Sequence, residues 1–577
     1  MKPALKRDPA PSLPTWRANL LLIVIGAWFI GLAGRALWLQ ALNNDFLQAK
    51  GESRYSRVIE IGASRGMIVD RNNEPLAIST PVESVAASPA DIEAEPADLR
   101  RLSQLLGVSM EDLHGRLADT KREFVYLKRQ LPPEQAERVV QLGIPGVFLQ
   151  REHRRYYPAG DVMAHIIGFT GVDEKGQEAL ELAYEDRLSG KPGSRRVIRD
   201  RLGRIVEDVE SIRVPQNGER LKLSIDARIQ YLAFRELKEA VAAHRAKAGG
   251  IVVLDAQNGE VLAMANLPTY NPNSRGKVDA SRTRNRVLTD LFEPGSTLKP
   301  FTAAAALEAG LFQASSVIQT APGSMTIGNR TIHDAHPQGA LTVAQVIQKS
   351  SNVGTAKMGL TMPPEVLWSM FSRAGFGAPP RSGFPGEVSG RLRAHGTWKP
   401  IEQATMSYGY GISVSLMQLA RAYTIFASDG MLYPVTLLKR NGPPEGVQVI
   451  SAQTALAVRR MLEMAAQPGG TAPGAQIAGY TVAGKTGTAH KLEGKGYATN
   501  RYVASFVGLA PASKPRVIIA VMIDEPSAGQ HYGGAVAAPI FSLVAAGTLR
   551  LLAVPPDAPG KTTVLAPEEV PVVREDV

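Results

Sequence analysis

The most apolar stretch of the chain lies near its start. Ala18–Gly34 reads ANLLLIVIGAWFIGLAG, 17 residues without a charge between Arg17 and Arg35. That meets the lower limit for a helix crossing a bilayer. The Ala-Leu-Trp-Leu run beyond Arg35 lengthens it if the guanidinium snorkels to the headgroups, and Trp16, Trp28 and Trp38 supply interfacial aromatics. Lys2, Lys6, Arg7 and Arg17 precede the stretch, whereas the flank from 35 to 52 holds only Arg35 and Lys50. The positive-inside rule therefore predicts a cytoplasmic tail over residues 1–17, an anchor over 18–40, and the remainder outside. No A-x-A site follows the apolar run, which favours an uncleaved anchor over a signal peptide. A single span is expected.

Beyond the anchor the pattern shortens. Residues 41–60 read as a helical stalk. Arg65–Ala77 carries turn residues, Asp70–Pro75, between two apolar runs and predicts a hairpin. Residues 86–150 are mixed and helix-rich, with Pro132-Pro133 marking a helix start. Near Leu221 the composition changes. A long helical pattern runs toward Ala248, followed by a buried-type strand at Gly250–Asp255, a type I′ turn signal at Asn258-Gly259 and a return strand at Glu260–Met264. Further strands are expected at Tyr480–Ala483, Tyr502–Gly508 and Arg516–Ile523, with helices between. The whole reads as a sheet with helices packed on it. After Leu552 the chain is rich in Pro, Val, Glu and Asp and is expected to stay flexible.

Composition narrows the function classes. The 577 residues, 44% hydrophobic and 21% charged, predict several ordinary globular domains. A net charge of +11 suits nucleic acid, an anionic membrane or a polyanionic matrix. The densest basic run, Ser194–Arg204, reads as a solvated face, and no nucleic-acid motif accompanies it. The absence of cysteine removes disulfides, thiolate nucleophiles and zinc–thiolate sites.

Three short motifs carry chemistry. In Phe292-Glu-Pro-Gly-Ser296-Thr-Leu-Lys299, Pro294-Gly295 breaks the chain and Ser296 stands where the N-cap of an alanine-rich helix belongs. Residues three apart share a helix face, so Lys299 can reach the Ser296 hydroxyl. A serine hydroxyl needs a neighbouring base, and a helix start, a second cation and burial all favour the neutral amine. In Ser350-Ser351-Asn352 a hydroxyl can relay a proton and an amide can both donate and accept. In Lys485-Thr486-Gly487-Thr488 a cation flanked by hydroxyls suits a carboxylate, and Gly487 leaves room for a ligand along a strand. Backbone N–H groups at Ser296 and Thr488 could stabilise an oxyanion. Gly479–Thr486 also fits the P-loop pattern letter for letter, but the residues after it make a poor helix start, so nucleotide binding is not expected. His333-Asp-Ala-His336 lacks a third ligand at metal spacing, and a structural role is expected.

In order, S-x-x-K, S-x-N and K-T-G resemble the signature motifs of penicillin-binding proteins and serine β-lactamases. Arg65–Ala77 and Arg151–Glu185 resemble the non-catalytic pedestal of class B penicillin-binding proteins. Met406–Leu419 and Ile523-Asp-Glu-Pro526 resemble its division-specific, septal subgroup. The resemblance implies an α/β (α+β type) transpeptidase domain, with an antiparallel sheet flanked by helices, over 219–552. A dimerisation-like pedestal over 41–218 and a tail over 553–577 complete the chain. It implies a peptidoglycan D,D-transpeptidase in which Ser296 is acylated, Lys299 is the base, and Ser350, Asn352 and Lys485 complete the proton network. Thr486, Gly487 and Thr488 would bind substrate, with Tyr408, Tyr410, Tyr502 and Tyr532 forming an aromatic wall. Gln530-His531-Tyr532 stands where relatives often carry an aromatic pair. The implied partners are stem peptides ending in D-Ala-D-Ala, β-lactam antibiotics, and a septal glycan polymerase with other division-complex membrane proteins. No cofactor, metal or nucleic acid is implied. The glutamate that class A β-lactamases place four residues before an asparagine is missing in that form, since Leu437 precedes Asn441. Transfer to an amine is therefore expected over hydrolysis by a carboxypeptidase or β-lactamase, and the intact motifs argue against a non-enzymatic scaffold.

Overall fold

The computed structural model describes residues 14–42, 56–122, 124–199, 205–274, 279–494 and 496–560. They fall into two compact units. The described residues within 1–63, 81–152 and 191–216 form one, and those within 64–80, 153–190 and 217–577 form the other.

In the first unit, Thr15–Leu37 is a 23-residue helix with no buried residue. At 1.5 Å per residue it is roughly 35 Å long, enough to cross a hydrocarbon core. Arg35 lies over the Trp38 ring, 4.8 Å from its centroid, at the end of the apolar run. Of the helical stalk expected over 41–60, residues 43–55 lie outside the described residues. Ser56–Ile61 is a strand instead, paired antiparallel with Gly193–Arg199, and the β-branched Val58, Ile59 and Ile61 favour that conformation. Helices Pro96–Leu106, Met110–Leu117 and Pro133–Val140 close a small core of Val85, Leu102, Leu106, Leu113, Leu127 and Val139. Pro133 opens the third helix, where its missing N–H costs nothing.

In the second unit, Ile68 pairs with Ala77, and the Asp70 carboxylate accepts the N–H groups of Asn72 (2.7 Å) and Glu74 (2.8 Å) to make the turn. Segments 64–80 and 153–190 fold together with the chain from 217 onward. Glu181, with no exposed surface, accepts from Arg65 and Arg155 at 2.7 Å each. Removing one partner of such an enclosed pair costs about 3–5 kcal/mol.

Helix α1 (Ala227–Ala243) is capped by Asp226, whose carboxylate accepts the Arg228 N–H. It leads to strands β1 (Ala248–Asp255) and β2 (Val261–Leu267). Helices α2 (Lys299–Glu308), α3 (Val343–Lys349) and α4 (Asn352–Thr361) follow, then β3 (Ala483–Glu493), β4 (Gly496–Ala510), β5 (Val517–Asp524) and α5 (Gly533–Leu551). The sheet runs β2-β1-β5-β4-β3, every pair antiparallel, with β3 at one edge. One face is covered by α1 and α5, through Ile229, Phe234, Phe506 and Phe541. The other packs Val252 and Leu254 against Phe301, Leu416 and Met417. Coverage on both faces explains why β1 is buried throughout and reads as a continuous apolar run.

Several expectations change. Asn258-Gly259 is not a type I′ turn, because that turn needs two positive φ angles and only Gly259 (φ +71) has one. Asp255 and Asn258 side chains instead bond the N–H groups of Gln257 and Glu260. The strand expected to end before K-T-G starts at Ala483 and contains the motif. A second helix of membrane-spanning length, α5, escaped the sequence reading. Val536, Phe541 and Val544 are fully buried in the core, so its apolarity serves the sheet. Beyond Leu552 the chain stays tied, with Tyr480 OH donating to Val554 O (2.6 Å) and Asp557 accepting from Thr481 N (2.8 Å). The rest of the expected flexible tail, 561–577, lies outside the described residues.

Candidate active site

The nucleophile loop is set by close packing. Ser296 lies in one 3₁₀ turn, Gly295–Leu298, that runs straight into α2. It is thus not the helix N-cap, but the i, i+3 relation to Lys299 persists. Thr297, Leu298 and Lys299 are fully buried, and Ser296 is partly exposed. Gly409 (φ +97) allows the loop to be braced from behind. A Cβ there would lie 2.0 Å from Gly295 O, and Gly295 N–H donates to Gly409 O at 3.2 Å. Tyr423 OH donates to Thr297 O (2.8 Å), and the Thr297 hydroxyl to Pro294 O (2.7 Å).

Lys299 has no exposed surface, and its Nζ donates to Ser350 O (2.5 Å) and Ser350 Oγ (3.0 Å). The first two motifs therefore meet directly. Ser350 ends α3 in the left-handed region, φ +60. This conformation aims both of its oxygens at one amine, although it is costly for a residue with a Cβ. The following residues are anchored by a side chain the sequence reading passed over. Asp334, nearly buried, accepts from Ser351 Oγ (2.7 Å) and Val353 N (2.9 Å), and Asn352 Nδ2 donates to His333 O (2.9 Å). The His333-Asp-Ala-His336 segment thus orients S-x-N.

The third motif sits near the start of edge strand β3. Lys485 is fully enclosed and donates to Thr486 Oγ1 (3.2 Å), which in turn bonds the Thr471 hydroxyl (2.9 Å). Gly533 N–H donates to Thr488 Oγ1 (3.0 Å). Gly487 is where β3 meets the serine loop. A Cβ there would lie 2.9 Å from Pro294 O, 3.0 Å from Thr297 Cγ2 and 2.5 Å from Ser505 Oγ. All three motifs therefore converge on one place.

Ring contacts among the described residues gather the four tyrosines into two groups. Tyr408 and Tyr410 pack edge to face at 5.9 Å, and Tyr410 meets Tyr497 at 5.5 Å. Tyr502 belongs to the second, with His490 at 4.5 Å and His531 at 4.0 Å, and His531 meets Tyr532 at 4.2 Å. Tyr497 and His490 were missed because neither stands in a motif, and the pairing of β3 with β4 is what brings them to the site. Also missed was Glu293, whose buried carboxylate accepts from Gly411 N (2.7 Å) and Tyr497 OH (3.2 Å). Burial pushes its pKa above the usual carboxylate range, and those two donors only partly offset it.

Chemically, a partly exposed hydroxyl beside enclosed amines is suited to covalent acyl transfer. The adjoining strand has one edge on which an extended peptide can align. Comparison with known proteins agrees. Residues 249–545 match the penicillin binding protein transpeptidase domain, and residues 60–223 the penicillin-binding protein dimerisation domain. The probable peptidoglycan D,D-transpeptidase PenA of Neisseria meningitidis is 44% identical over 563 residues, covering 97% of each chain. The peptidoglycan D,D-transpeptidase FtsI of Escherichia coli is 42% identical over 550 residues, 94% of this chain and 93% of that one. The apo transpeptidase domain of Burkholderia pseudomallei penicillin-binding protein 3 is 50% identical, with a TM-score of 0.54, over 58% of this chain and 97% of its own. With both domains matched and such identity along almost its whole length, the chain belongs to the class B penicillin-binding proteins, the transpeptidases that carry a dimerisation domain.

Proposed function

We propose that this chain is a serine-type peptidoglycan D,D-transpeptidase that cross-links stem peptides at the division septum. The observation that carries the reading is the enclosed Lys299 amine, bonded to both oxygens of Ser350 one turn from the Ser296 hydroxyl. Ser296 Oγ attacks the carbonyl of the penultimate D-Ala while Lys299 takes its proton. The C–N bond to the terminal D-Ala breaks, and its amine leaves with a proton relayed through Ser350. Lys485, Thr486 and Thr488 hold the terminal carboxylate, Asn352 the peptide amide, and the Ser296 and Thr488 N–H groups the developing oxyanion. A side-chain amine from a second stem then attacks the ester. Penicillins enter as mimics of the donor and remain on Ser296.

Residues 219–552 would carry this chemistry and 41–218 support it. Helix Thr15–Leu37 would anchor the chain in the inner membrane, amino end in the cytoplasm, beside a glycan polymerase of the division complex. Labelling with a fluorescent penicillin tests the core of the reading. Wild type should give a gel band with the label on the peptide containing Ser296, and Ser296→Ala should give none while melting normally. An unlabelled wild type would sink the assignment. A fluorescent fusion that marks the sidewall evenly, rather than a mid-cell band, would remove the septal role.

A further inference from the structure

Beyond the serine loop, β3 continues toward a cavity of about 800 Å³, within the size range of ligand sites. It is lined by Arg245 and Lys247 after α1, by Asn500, Arg501 and Tyr502 on β4, and by His531 before α5, with Glu525 and Ser527 among its other walls. His490 pairs with Tyr502, three residues beyond Gly487, so the cavity starts roughly 10 Å along the strand from the serine loop.

Its charge is unbalanced. Glu525 is already paired with Lys247 (3.2 Å) and Lys491 (2.7 Å), and Arg501 with Glu493, which lies outside the lining. The Arg245 guanidinium has no hydrogen bond or ion pair among the described residues, yet its backbone is held in place. It has φ +46, and its carbonyl accepts from Ser527 Oγ at 2.8 Å. A planar fork of donors with no anion, beside the exposed Asn500 amide, matches a carboxylate. Tyr502 and His531, stacked at 4.0 Å and 15°, offer a flat shelf for a peptide chain.

Resting on the transpeptidase reading, we propose that this cavity is the acceptor subsite: Arg245, with Asn500 and Arg501, binds the C-terminal carboxylate of the incoming stem peptide while its side-chain amine reaches the acyl-enzyme. The Tyr502 wall is roughly 10 Å along the strand from the serine loop and Arg245 stands farther across the sheet, so the stem lies extended over the Tyr502–His531 shelf, its side chain and two further residues together reaching about 15 Å. In the step served, the amine nitrogen bonds to the acyl carbon and the ester C–O bond to Ser296 breaks. The amine's proton passes through Lys299 to the Ser296 oxygen. Donor chemistry does not use the cavity, so the two half-reactions separate.

The test uses full-length enzyme in detergent, a thioester donor, and a synthetic stem pentapeptide with a free side-chain amine. The pentapeptide is supplied as the C-terminal acid or the C-terminal amide. Wild type should show an apparent KM about tenfold lower for the acid than for the amide, as expected for one charge-assisted contact. Arg245→Ala should abolish that preference, Arg245→Lys should restore part of it, and penicillin labelling should proceed at the wild-type rate in both. Titrating the same fluorescein-tagged peptides onto penicillin-acylated enzyme gives the comparison without turnover. Equal affinities for acid and amide in wild type, or an undiminished preference in Arg245→Ala, would overturn the subsite. Absent penicillin labelling would instead overturn the transpeptidase reading itself.

Discussion

The two ends of strand β3 are built on opposite principles. At the Lys485 end, both lysines have no exposed surface and glycines stand where a single methyl would collide with backbone. At the His490 end, cations line an open cavity and one guanidinium has no partner among the described residues. Enclosure at the first end fixes geometry to fractions of an ångström, which a bond-making step requires. Openness at the second suits a group that must arrive, bind and leave.

This contrast breaks most decisively at Lys299. Lys299→Ala should slow acylation by a labelled penicillin by about 10²–10⁴-fold without loss of fold. Near-normal acylation in stopped-flow fluorescence would show that enclosure there serves packing alone. Gly487→Ala should cost roughly 10²-fold in the same assay, because the new Cβ pushes β3 off Pro294 and Ser505. An unchanged rate would mean that the strand and the serine loop need not touch.

Away from the site, His165 measures what enclosure costs a titratable group. Its Nε2–H donates to Arg282 O (2.7 Å), and burial, with Arg286 nearby, lowers its pKa to about 4. The unfolded chain takes up a proton near pH 6.5 that the native ring refuses. Stability should therefore be unaffected above pH 6.5, fall by roughly 3 kcal/mol as pH drops toward 4, and level off below. His165→Gln should flatten that part of a denaturation-versus-pH profile. Asp334→Ala should cost about 2 kcal/mol by leaving Ser351 Oγ and Val353 N without their acceptor, measured by urea unfolding. The smallest effect belongs to the open end, where Arg245→Ala should shift stability by less than about 0.5 kcal/mol.

The same contrast explains what could be read from the letters. Ser296 and Lys299 are three apart and Ser350 and Asn352 two apart, so local spacing alone reveals their relation. The strand beneath Lys485 was also visible, although its start was placed too early because Tyr480–Val482 is equally apolar. The segment around Asp334 was expected to be structural, but what it holds was not legible, because its partners, Ser351 and Val353, lie 17 and 19 residues away. The cavity draws on three separated segments, from Arg245 to His531, and no window of sequence contains it. Helix α5 was missed for another reason. A core helix and a membrane helix share one composition, and only packing against Phe506 and Ile523 tells them apart.

The backbone at Ser350 has an evolutionary consequence. Glycine adopts φ +60 without the crowding that a Cβ brings, so Ser350→Gly relieves conformational tension at the end of α3. It also deletes the hydroxyl that Lys299 holds. Selection for robustness alone would drift toward the sturdier, inert chain at this position, and a serine there records selection for activity over rigidity.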